Sequence, residues 1–143
     1  MTTADELQAR INSIEESYEF FLAYAAQGVA GGDAAAASGQ ARDFLDRMEH
    51  ALESLADLFL EVVERNAQDD LSKYRSFIDL LRQDANNSLA AVKMVSAQPA
   101  ISSQMIDNLN ALIHLRALLT DVFLIDEILN PRIPAPHKKE ADS

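Results

Sequence analysis

The chain has no cysteine, which excludes disulfides, thiolate metal ligands and thiol nucleophiles. Glycine and proline are scarce and confined: the four glycines fall between Gly28 and Gly39, and the four prolines are Pro99, Pro131, Pro134 and Pro136. Long stretches without either breaker exclude a fold made of many short elements joined by turns. Positive charge is scarce as well, with 12 lysines and arginines against 23 acids and a net charge of −11. So acidic a chain repels a phosphate backbone, because nucleic-acid affinity rests on Lys and Arg displacing counterions. It repels an anionic lipid surface for the same reason, and no uncharged apolar run approaches the roughly 18 residues that a spanning helix needs. The first residues, Met1-Thr2-Thr3-Ala4-Asp5-Glu6, carry acids where a secretory signal carries bases ahead of an apolar stretch. Together these absences predict a cytoplasmic chain with neither nucleic acid nor membrane as partner.

What is present predicts a single folded domain: 143 residues, 48% hydrophobic and 24% charged, sit in the ordinary range for one globular unit. Between the breakers lie four segments, about 3–27, 40–66, 70–98 and 102–129, rich in the helix formers Ala, Leu, Glu, Gln and Arg. The fold class read from them is all-α, an up-down-up-down four-helix bundle over residues 1–130, because connections of a few residues force neighbours antiparallel. The first connection, through Gly28 to Gly39, reads as a longer mobile linker. Residues 131–143, proline-rich and charged, read as a disordered tail.

Each segment carries apolar positions three and four apart, the spacing that keeps side chains on one face of a helix. The first opens on an expected capping box between Thr3 and Glu6, followed by the stripe Leu7, Ile11, Ile14, Tyr18, Phe21 and Ala25. The second shows Leu45, Met48, Leu52, Leu55, Phe59 and Val62, with Asp46, His50, Glu53, Asp57, Glu61 and Glu64 on the opposite, solvated side. The third shows Tyr74, Phe77, Leu81, Ala85, Ser88, Val92 and Val95. The fourth starts at an N-cap, Ser102 or Ser103, and its apolar residues from Leu109 to Ile125 cover more than half of its circumference. That is more than one seam of a bundle needs, so something extra must cover it.

No residue pattern points to catalysis. A ferritin-like metal site needs Glu three residues before each inward histidine, and His50 and His114 have Arg47 and Ala111 there, so no metal and no cofactor is expected. No serine or threonine is tied to His114 by spacing, which leaves a nucleophilic triad unsupported. The glycine segment has neither a preceding strand nor a following Lys-Ser/Thr, which a phosphate cradle requires. Asp107, Asn110, His114 and Asp121 fall within one polar wedge of the fourth helix, and Arg116 sits in its apolar arc, where it needs an interface or an acid such as Asp84.

Surplus apolar surface is the strongest signal, and it predicts a non-enzymatic interaction or accessory protein acting as a homo-oligomer, a dimer above all, or on another protein partner. The interface expected from it joins Phe20 and Tyr24, on the side of the first helix away from its stripe, to Leu115, Leu118 and Val122. The competing account packs Phe20 and Tyr24 under the glycine segment of the same chain. The alternative function is a small-molecule sensor or carrier with a pocket between helices, where Tyr18, Tyr74, His114, Arg116 and Asp121 supply the polar contacts.

Overall fold

Two of the four segments are broken by residues that are ordinary helix formers. The computed structural model describes residues 2–66 and 70–130, and among these it contains α1 (Thr3–Ala26), α2 (Gly32–Leu52), α3 (Leu55–Asn66), α4 (Ser72–Ser96), α5 (Ser103–Ala111) and α6 (Ile113–Leu129), with no strand. The all-α class stands. The element count does not: the second segment divides at Glu53–Ser54, where Ser54 takes a left-handed φ of 55°, and the fourth divides at Leu112, whose backbone is extended. No glycine or proline marks either site, so a search for breakers passes over both. At the first break the Glu53 carbonyl accepts a hydrogen bond from the Arg10 guanidinium of α1, which replaces a partner lost from the helix ladder.

Two more details depart from the sequence reading. The N-terminal capping box is one residue earlier, with Thr2 Oγ1 accepting from Asp5 N at 3.1 Å and Thr2 N donating to Asp5 Oδ2 at 3.2 Å. The glycine segment is a short pinned turn, not a long linker, because α2 already begins at Gly32 and takes the Ala34–Ala37 run into its first turns. Ser103 N donates to the Val29 carbonyl at 2.9 Å, and Val29 N donates back to Ser103 Oγ at 2.7 Å. Gly31 has φ 59° and ψ −129°, a backbone region that only glycine enters freely. Residues 131–143, read as a tail, lie outside the described residues.

Packing follows chain order. α1 lies against α2, α3 and α5, α4 against α2, α3 and α6, and the apolar stripes of all of them meet in one core. Phe21, Phe59, Leu45, Leu55, Leu81 and Leu115 are completely enclosed, each stabilising the fold by about 1.5–3 kcal/mol relative to exposure. The ion pairs Arg75–Glu64, Arg82–Asp57 and Lys93–Glu49 show late residues of α4 beside early residues of the α2–α3 stretch, so these run antiparallel. The acidic face of α2 and α3 is thus exposed and partly matched by bases of α4, in surface pairs worth little individually. No helix among the described residues is long and apolar enough to cross a membrane.

Candidate functional site

Four of the five side chains expected at an interface are enclosed by their own chain. Leu115, Leu118 and Val122 have no accessible surface, and Tyr24 has 2%. Tyr24 Oη donates to the Ile101 carbonyl at 2.5 Å, and burial pushes that hydroxyl above the usual tyrosine range, so it stays a donor. Phe20 is half-buried and stacks on Phe44 of α2. The cover these residues require comes from α2, from the α4–α5 turn and from the rest of the core. Tyr24, Leu115, Leu118 and Val122 thus present almost no surface, and Phe20 presents part of its ring.

The five polar residues expected in a pocket do not converge. Tyr18 lies in a cleft with Glu15, Glu19 and Phe123, Tyr74 lines a different groove, and His114 and Arg116 are exposed at the start of α6. The polar wedge assumed one continuous helix, and the break at Leu112 divides it: Asn110 is buried in α5 and donates from Nδ2 to the Phe21 carbonyl at 3.1 Å, whereas Asp107 and His114 face solvent. Asp84, the acid offered to Arg116, pairs with Asp121 instead. Among the described residues no group of three or more His, Asp or Glu can hold a metal ion.

Open apolar side chains occur at several places, among them Leu22, Met94, Ile113 and Phe123, and a group of them borders the seam of α4 and α6. A groove of about 280 Å³ is lined by Lys73, Tyr74 and Phe77 from the start of α4 and by Leu124, Ile125 and Ile128 from the end of α6, which makes these helices antiparallel neighbours. Among the described residues its walls are apolar, with Lys73 the one charged group. Leu124 and Ile128 remain 50% and 54% exposed, and Leu80, one turn along α4 from Phe77, is 50% exposed as well. These side chains leave apolar surface open along the seam. The sequence did carry a sign of it: Lys73, Phe77, Leu80 and Asp84 are spaced four, three and four apart, a second stripe on α4 beside the core stripe that Tyr74, Leu81 and Ala85 define.

Farther along the same seam, Asp84 of α4 meets Asp121 of α6. Asp121 is 8% exposed, and its Oδ2 has no hydrogen-bond partner. Desolvation, then the hydrogen bond and the charge of Asp84, push the Asp121 carboxyl up to about 7. The seam therefore has an ammonium at one end, apolar side chains in the middle and a carboxyl pair at the other end. Compared with protein-family models, curated proteins and solved structures, this chain finds no match.

Proposed function

We propose that this chain is a non-enzymatic helical-bundle interaction protein that works by pairing with a second copy of itself through the α4–α6 seam. In this reading the six helices act as four columns, α2–α3 and α5–α6 each forming one bent column, arranged up-down-up-down. The observation that carries it is the apolar groove between Tyr74, Phe77, Leu124 and Ile128, with the uncovered Leu80 beside it. Hole and knob occur on one face, and so do opposite charges, Lys73 at one end and Asp84 at the other. Turned end for end, such a face is complementary to itself, which is the requirement for a closed two-fold contact. The expected dimer is kept, and its centre moves from Phe20, Tyr24, Leu115, Leu118 and Val122 to Phe77, Leu80, Leu124 and Ile128.

Size-exclusion chromatography with light scattering tests this reading. Wild type runs as a dimer at micromolar concentration, and Leu80→Asp, at a half-exposed position that leaves the core intact, runs as a folded monomer. A monomeric wild type, or a Leu80→Asp chain that remains dimeric, overturns the seam as the self-association surface. Binding of a different protein or of a small apolar probe to a monomeric wild type would assign the groove to that occupant instead.

A further inference from the structure

We infer that in the paired molecule the Lys73 ammonium of each copy docks on the Asp84–Asp121 carboxyl pair of the other, so that two reciprocal ion pairs set the register of the contact. The inference rests on the seam reading above and adds to it the partner group that the acids receive. Its first support is the symmetry of the stripe. Lys73 and Asp84 are equidistant from the peptide joining Ile78 and Asp79, and so are Phe77 and Leu80. A two-fold axis through that point, with the two α4 helices antiparallel, places each Lys73 opposite an Asp84 and each Phe77 opposite a Leu80. Lys73 and Asp84 are separated by about 16 Å of helix, so the two ion pairs flank the apolar centre as a polar rim.

The second support is that the same register seats Leu80 of one copy at the level of Phe77 of the other, where the groove bounded by Tyr74, Leu124 and Ile128 opens. The third is the state of the charged groups. Lys73 is exposed, and no ion pair or hydrogen bond engages it among the described residues. The neighbouring bases of α4 are already committed, Arg75 to Glu64, Arg82 to Asp57 and Lys93 to Glu49. The acid pair is the mirror case, two carboxyls in contact with Asp121 Oδ2 unpartnered and no base among the described residues bound to either. A cation supplied from outside reaches the half-buried Asp84 and offsets the repulsion between the two groups.

A charge-exchange cycle read by sedimentation equilibrium tests the inference. Lys73→Glu alters an exposed side chain and weakens the dimer by about tenfold or more. Asp84→Lys weakens it comparably, and the double variant Lys73→Glu/Asp84→Lys recovers affinity to within about threefold of wild type. Circular dichroism establishes that each variant is folded. Should Asp84→Lys fail to fold, Lys73→Met and a rising salt concentration take its place, since both weaken the wild-type contact and salt has little further effect on Lys73→Met. If Leu80→Asp dissociates the dimer while Lys73→Glu leaves it unchanged, the seam reading stands and the inferred ion pairs are wrong. A wild type that remains monomeric overturns both.

Discussion

The rings of Phe20 in α1 and Phe44 in α2 lie 4.2 Å apart and within 9° of parallel. Tyr24 also stacks on Phe20, at 5.6 Å, and the Arg47 guanidinium lies over the Phe44 ring at 4.6 Å, so the four side chains form one connected ladder along the α1–α2 edge. The aromatics that composition offered to a partner are thus used to join two helices of one chain. Phe20→Ala removes the middle of the ladder, and because Phe20 is only half-buried its expected cost is about 2 kcal/mol, below the range for a fully buried phenylalanine. Urea unfolding measures it, and the self-association constant stays unchanged. No loss of stability on substitution would mean that the stack contributes nothing.

Tyr24 and Ser103 hold the turn after α4 beneath the end of α1. Tyr24 Oη donates to the Ile101 carbonyl, and Ser103 Oγ donates to the Tyr24 carbonyl at 2.5 Å while accepting from Val29 N. Tyr24→Phe leaves one buried carbonyl without its donor, at an expected cost of about 1–2 kcal/mol. Ser103→Ala strips a partner from two backbone groups and costs more than Tyr24→Phe. Amide hydrogen exchange at Val29 reads the same effect locally, and protection there that survives Ser103→Ala would contradict this account.

The apolar stripes, a serine cap at Ser102 or Ser103 and the end of α4 ahead of Pro99 were legible because they depend on residue types three or four apart, or on a proline, and the structure places the cap at Ser102. The breaks at Ser54 and Leu112 were not, because no glycine or proline marks them, and the first has its partner, Arg10, on another helix. The α4–α6 groove was missed for a different reason. Phe77 belongs to the core stripe and to the seam stripe at once, so a reading that assigns each position to one face spends it on the core. Asp121 was singled out, but its partner Asp84 stands on another helix, and pairing across helices is not encoded in spacing along one. The apolar residues of the fourth segment could be sorted only by the packing: Leu115, Leu118 and Val122 turn inward, and Ile113, Phe123, Leu124 and Ile128 stay open.

The backbone at the α2–α3 break makes a local prediction. Ser54 holds φ 55° without glycine's freedom, so Ser54→Gly relieves strain and stabilises by up to about 1 kcal/mol after the added flexibility of the unfolded chain is subtracted. Gly31→Ala acts in the opposite direction, by about 1–3 kcal/mol, because alanine cannot enter that region freely even though no neighbouring atom obstructs a new Cβ. Thermal melts of the two variants should move to opposite sides of wild type. A Ser54→Gly chain less stable than wild type would show that the seryl side chain has a role the geometry does not reveal.

The acid pair gives the fold a pH dependence whose sign is fixed. Asp121 has its usual value of 3.8 in the unfolded chain and is pushed up to about 7 in the folded one, chiefly by desolvation and then by Asp84. Between those values the folded chain binds more protons than the unfolded chain, so its stability falls as pH rises through this window. Below it Asp121 is protonated in both states, and above it the carboxylate is ionised in both, so the contribution of this group is flat on either side. Asp121→Asn keeps the shape, removes the titration and gives Asp84 a permanent hydrogen-bond donor. The comparison is best made in the Leu80→Asp background, where no second copy supplies a cation. There Asp121→Asn melts a few degrees above its parent at about pH 8, at about 2–4 °C for each kcal/mol in a chain of this size. The advantage shrinks steadily toward about pH 4, where the parent aspartate is itself neutral. Two melting curves that stay parallel across that interval would mean that burial and Asp84 do not raise the Asp121 carboxyl in solution.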